Sequence, residues 1–238
     1  MPLFDYPIHA ISGFLGSPSD WSAVLKEFKD VHLYNPLQVD VQLPFCDWAE
    51  QFNALEPARG ILAGYSLGGR LALHAALINP DRWHALIIIS SHTGLSDLAQ
   101  KTDRLQSDQR WAERFRFDAW DSVLNDWNQQ EVFRSPFPQP RRLECDFDRK
   151  AMAGALTEWS LGMQEDLAER ISKLQIPILW VVGENDRKFA AIAKELTFAH
   201  PHSKIWIAPK AGHRVIFDAS EELNQQINYF ISILGSTR

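Results

Sequence analysis

The stretch Leu62-Ala63-Gly64-Tyr65-Ser66-Leu67-Gly68-Gly69-Arg70 constrains this chain more than any other. The apolar run from Arg59 to Ala63 reads as a buried strand, and Leu71 to Leu77 reads as an Ala/Leu-rich helix. Between them a serine stands in Gly-x-Ser-x-Gly spacing, the pattern of a nucleophile elbow. A serine at the apex of so tight a strand-to-helix turn sits in strained backbone, and only small residues at Gly64 and Gly68 let strand and helix pass that closely. The turn would aim the N–H of Leu67 and the helix N-terminus at negative charge developing beside Ser66. A serine before a helix is otherwise an ordinary N-cap, so the rest of the chain has to decide.

Further strand candidates recur along the chain: Ile8 to Ser12, Val31 to Tyr34, Ala85 to Ile89, Pro177 to Gly183 and Lys204 to Ala208. Ala85 to Ile89 is nearly all aliphatic, the mark of a strand buried on both faces. Helical patterns separate these runs, which implies a mostly parallel sheet flanked by helices. Ser19 or Asp20 is expected to cap a helix carrying Trp21, Val24, Leu25 and Phe28 on one face, and Trp48, Phe52 and Leu55 mark a face of another. From residue 95 to 166 the rhythm breaks: Trp111, Phe115, Phe117, Trp120, Trp127, Phe133 and Phe137 occur among many charges, with no aliphatic strand. This segment is expected to be an inserted helical lid over the strand ends, within a single domain spanning residues 1–238.

A net charge of −6 argues against nucleic-acid or membrane-surface binding, and an anionic ligand would need local Arg or Lys. Cys46 and Cys145 are isolated, with neither disulfide nor zinc spacing, and the loop Ser12-Gly13-Phe14-Leu15-Gly16 lacks a dinucleotide fingerprint. We therefore expect no metal or cofactor. With no basic leader before an apolar core and no apolar run of membrane-spanning length, a soluble cytoplasmic protein is expected, a monomer or small homo-oligomer.

Ser66, Asp186 and His213 each fall just beyond a strand candidate, in the chain order Ser, Asp, His of the α/β-hydrolase triad. The chemistry requires these types: imidazole takes the proton of an otherwise inert hydroxyl, and a buried carboxylate fixes the imidazole tautomer. His92, also at a strand end, competes with His213, and Glu184 and Asp166 compete with Asp186. The N–H of Phe14, across from Leu67, is the natural second oxyanion donor.

The elbow Gly64-Tyr65-Ser66-Leu67-Gly68-Gly69-Arg70 also resembles that of the 2-succinyl-6-hydroxy-2,4-cyclohexadiene-1-carboxylate (SHCHC) synthases, α/β-hydrolase-fold enzymes of menaquinone biosynthesis. Asp103-Arg104, Ser107-Asp108, Trp111 to Phe115, Asp126 to Gln130 and Val132-Phe133 are similar to that family's lid motifs, and Gly183 to Phe189 and Ala211-Gly212-His213 to its Asp and His segments. The resemblance implies a lyase that eliminates pyruvate from a polycarboxylate cyclohexene. Ser66, activated by His213, would be the base and the oxyanion hole would hold the enolate. It further implies that Arg70 and Arg104 bind substrate carboxylates, with Tyr65 and Trp127 shaping the pocket. The chain departs from the family where Ser12-Gly13 replaces His-Gly, so another hydrogen bond must brace the oxyanion loop. The stretch 134–149 matches poorly and leaves Arg141, Arg142 and Arg149 without a role. Two other classes compete: an esterase, thioesterase or C–C bond hydrolase using Ser66 as nucleophile, and an idle binding protein on the same scaffold. Arginines facing Ser66 favour the lyase, an apolar pocket the esterase.

Overall fold

A computed structural model describes residues 6–38, 43–55 and 59–235. Six strands, β1 (Ile8–Ile11), β2 (Val31–Tyr34), β3 (Gly60–Tyr65), β4 (Trp83–Ile89), β5 (Ile178–Gly183) and β6 (Lys204–Ala208), form one sheet in the order β2-β1-β3-β4-β5-β6. Every pairing is parallel. The chain runs outward from β1 to β2, then returns to the other side of β1 as β3. That reversal opens a crevice at the carboxyl ends of β1 and β3, where open α/β sheets place their sites.

Side chains alternate across the strands. Ile11, Leu62, Leu86, Ile88, Trp180 and Val182 enter one apolar core. It is covered by α1 (Phe45–Leu55), α2 (Leu67–Ile78) and the helices that follow β4. Ile8, Ile61, Ile87, Ile89 and Val181 enter the other, closed by α9 (Ser220–Gly235) through Leu223, Ile227, Phe230 and Ile231. Ala85 to Ile89 are wholly inaccessible to solvent, as a continuous aliphatic run requires.

Two local expectations are corrected. Residues 18–28 do not form an amphipathic helix: only a 3₁₀ turn, Pro18–Trp21, forms, capped by Ser17 rather than Ser19 or Asp20. Asp20 accepts the Ser17 N–H and closes a capping box on that single turn, and the Val24 carbonyl accepts from the Asn224 side chain of α9. Trp21, Val24 and Leu25 are still buried, because that spacing serves packing against α9. Leu55 ends α1 at 67% exposure, outside the face made by Trp48 and Phe52.

Between β4 and β5 lie α3 (Leu98–Phe117), α4 (Trp120–Gln129), α5 (Arg149–Glu158) and the short α6 (Ala168–Ser172). Phe115, Trp120 and Trp127 are buried and, with Trp111 and Phe133, form a continuous aromatic cluster. Phe14 joins it from the β1 loop, 4.9 Å from Trp127 between ring centroids. Phe117 and Phe137, read with these aromatics, are exposed instead.

Candidate active site

Ser66 separates β3 from α2 with φ 54° and ψ −112°, a strained conformation for a residue with a β-carbon. The strain is enforced by packing: a β-carbon on Gly64 would lie 2.4 Å from the Gly68 carbonyl oxygen, so strand and helix can cross this closely only without one. The Ser66 N–H donates to the Ile89 carbonyl at 2.9 Å, and its own carbonyl accepts from the Ser91 hydroxyl at 3.1 Å. No side-chain cap bond is made by Ser66. Its hydroxyl instead lies 3.1 Å from His213 Nε2.

His213 follows β6 on a loop tied to the end of β5 by the Asn185 N–H, which donates to the Ala211 carbonyl at 2.8 Å. Its Nδ1 lies 2.7 Å from Asp186 Oδ2, and both side chains are buried. The rivals are engaged elsewhere. His92 accepts the Gly94 N–H at Nδ1, and burial, then the charge of Lys188, push its pKa down to about 3. Glu184 accepts the Lys210 N–H, and Asp166 that of Ala168.

Leu67 is the first residue of α2, where an N–H has no intrahelical partner. Phe14 lies in the β1 loop, and among the described residues neither N–H donates to a protein group. The loop is held by the Gly16 N–H to the Gly13 carbonyl at 2.9 Å, with Leu15 at φ 59°, and by the Ser12 N–H to the Tyr34 carbonyl at 2.9 Å. Among the described residues the buried Ser12 hydroxyl has no partner, so the brace seen is the backbone.

A cavity of about 450 Å³ opens over Ser66, and Phe14, Tyr65, Leu67, Arg70, Arg104 and Trp127 all line it. Six cationic side chains reach it: Arg70 and Arg104 are joined by Arg141, Arg142, Lys188 and Arg214, against the carboxylates of Asp20 and Asp108. Arg70 is buried and, among the described residues, bonds only neutral groups, the Trp159 carbonyl at 2.8 Å and Gln164 at 3.2 Å, with Phe45 under its guanidinium at 5.4 Å. Burial, then repulsion from Arg104, push its pKa down to about 9. Arg104 is held through Nε by both Asp108 oxygens, at 2.9 and 2.8 Å. Burial pushes the Tyr65 hydroxyl up, so it stays protonated.

Of the three unassigned arginines, Arg142 lines the cavity but is clamped bidentately by Asp20 at 3.0 and 2.6 Å, and Arg141 sits at the exposed rim. Arg149 is outside the cavity and binds the Phe115 and Asp118 carbonyls and Glu144. The sequence reading missed Lys188 and Arg214. Arg214 lies over the Phe133 ring at 4.8 Å and donates to Asn128 on α4; burial pushes its pKa down. Their signal was adjacency, two residues after Asp186 and one after His213. Among the described residues no group of three or more His, Cys, Asp or Glu could hold a metal ion, and no helix is long and apolar enough to cross a membrane.

The Alpha/beta hydrolase family matches residues 3–226. The 2-succinyl-6-hydroxy-2,4-cyclohexadiene-1-carboxylate synthase of Pectobacterium atrosepticum is 37% identical over 205 residues, covering 78% of this chain and 79% of that protein. The enzyme of the same name from Escherichia coli O7:K1 is 31% identical over 221 residues, covering 85% and 84%. Among solved structures, MenH from S. aureus matches with a TM-score of 0.85 over 96% of this chain and 94% of that one, at 23% identity. A thermophilic esterase from Thermogutta terrifontis matches with a TM-score of 0.72 over 96% and 90%, at 20% identity, and both show the shared fold. The chain belongs to the alpha/beta hydrolase family and, within it, to the family of the 2-succinyl-6-hydroxy-2,4-cyclohexadiene-1-carboxylate synthases.

Proposed function

We propose that this protein is an SHCHC synthase, a cytoplasmic, cofactor-free carbon–oxygen lyase. It eliminates pyruvate from 2-succinyl-5-enolpyruvyl-6-hydroxy-3-cyclohexene-1-carboxylate in menaquinone biosynthesis. The observation that carries this is the charge of the cavity: six cations against two carboxylates surround Ser66 in a protein of net charge −6. An ester pocket needs no such inversion, whereas a substrate with several carboxylates does.

Each residue then has a role. His213, its Nδ1 on Asp186, draws the proton from Ser66 Oγ, and the serine oxygen removes the ring proton beside the succinyl ketone. The resulting enolate oxygen sits against the N–H groups of Phe14 and Leu67. Its electrons form the ring double bond beside the succinyl group, the existing ring double bond shifts one position, and the C–O bond to the enolpyruvyl group breaks. The departing enolate takes up the proton held by His213 and becomes pyruvate, which leaves Ser66 and His213 as they began. Arg70 and Arg104 bind carboxylates, Tyr65 and Trp127 shape the walls, and α3 and α4 with the segment after them serve as the lid that excludes water.

Pyruvate formation by the purified enzyme, run beside p-nitrophenyl acetate hydrolysis, tests the proposal. Catalysed pyruvate release with negligible ester turnover supports it; ester turnover with pyruvate only at the spontaneous rate makes the protein a hydrolase.

A further inference from the structure

The first turn of α7 (Arg187–Glu195) carries Arg187 and Lys188 directly after Asp186, with no acidic residue. Cations there oppose the positive end of the helix dipole, so helix stability does not account for Lys188. Its side chain nevertheless lines the Ser66 cavity, and among the described residues it has no hydrogen-bond or ion-pair partner.

Its surroundings are cationic. Burial, then the charge of Arg104, hold the Lys188 ammonium below the ordinary lysine range. Lys188, Arg70 and Arg104 all line the cavity with His92, whose carbonyl accepts from the Gln164 that also holds Arg70, and whose ring lies 5.9 Å from that of Phe189, the residue after Lys188. The carboxylates nearby are occupied: Asp108 binds Arg104 and accepts the Ser160 hydroxyl at 2.7 Å, and Asp186 binds His213. Arg70 and Arg104 are fixed by those partners, whereas Lys188 is an unengaged point charge on a flexible stem.

We propose that Lys188 binds a carboxylate of the substrate, as the movable third cation of a subsite whose fixed members are Arg70 and Arg104. The proposal deepens the synthase reading and takes the identity of the substrate from it. A fixed guanidinium pair defines where the carboxylate lodges, and the ammonium closes onto it after entry, favouring substrates that are anionic at this end over neutral analogues.

The test compares full-length wild type, Lys188→Met and Lys188→Arg in two measurements. For pyruvate release, Lys188→Met is expected to raise KM by about 10- to 100-fold while kcat stays within about threefold, with Lys188→Arg recovering most of the loss. For equilibrium binding the probe is 2-succinylbenzoate, the proposed product less one molecule of water, and Lys188→Met is expected to bind it at least about tenfold more weakly. A KM and Kd within about twofold of wild type overturn the proposal. So does a fall in kcat that follows a lowered thermal midpoint while Kd is unchanged. If wild type releases no pyruvate, the synthase reading fails and the Kd comparison decides Lys188 alone: a tenfold loss upholds its carboxylate role, and equal binding or none by either protein overturns it.

Discussion

Gly68 lies so close to the end of β1 that a β-carbon on it would sit 2.2 Å from the Ile11 carbonyl oxygen. This contact presses the elbow helix, with Ser66 and Leu67 at its start, against the strand that delivers Phe14. It therefore sets the spacing of the two proposed oxyanion donors. Gly68→Ala must push α2 away from β1, since the obstacle is backbone. We predict a loss of about 1–3 kcal/mol in urea unfolding, as for overpacked cores. Among molecules that remain folded, pyruvate release should fall by about 100-fold, the scale of losing one oxyanion donor. Unchanged stability would refute the contact.

Asp186 holds His213 at Nδ1, so that Nε2 faces Ser66. Asp186→Asn keeps the shape but can present its amide N–H to the imidazole and favour the wrong tautomer. Pyruvate release should fall by about 10²- to 10⁴-fold, with circular dichroism unchanged. Retention of more than a tenth of the activity would show that the imidazole needs no carboxylate.

The Asp20–Arg142 pair is nearly buried, at 5% and 15% side-chain exposure. Removing one member of such a pair strands the other, whereas replacing both can be close to neutral. Asp20→Asn alone should destabilise by about 2–3 kcal/mol, and Asp20→Asn with Arg142→Met should recover part of that loss. Denaturant unfolding of both singles and the double decides it; additive losses would mean that the two groups do not support each other.

His74 and His92 are buried, and burial holds each at about 3, far below the ordinary histidine value of 6.5. Between those values the unfolded chain takes up protons that the folded chain refuses. Their contribution to stability is therefore complete above about pH 6.5 and lost progressively as pH falls toward 3, by up to about 1.4 kcal/mol per pH unit for each histidine. His74→Leu should flatten the fall in urea midpoint between pH 7 and pH 5. An equal fall in wild type and variant would mean that His74 does not drive it.

Much of the fold was legible because a parallel sheet needs aliphatic runs such as Ala85 to Ile89, whatever helices cover them. Ser66, Asp186 and His213 were legible by type and order, each at a strand end. The supposed helix of residues 18–28 was not, because apolar spacing reports which side chains are buried. The Val24 carbonyl is claimed by Asn224, 200 positions away. The clamp of Asp20 on Arg142 spans 122 positions and was invisible for the same reason. Lys188 and Arg214 stood beside motif residues, yet a charge in a short motif has no assigned direction until the cavity exists.

The central claim is that Ser66 acts as a base in an elimination. Its most direct measurement is pyruvate release by wild type and Ser66→Ala, using substrate deuterated on the ring carbon beside the succinyl ketone, with mass spectrometry of the enzyme during turnover. The account predicts release far above the spontaneous rate and slowed by deuterium in wild type, nearly abolished in Ser66→Ala, and no covalent adduct on Ser66. Release no faster than the spontaneous rate, or a covalent adduct on Ser66 during turnover, would contradict it.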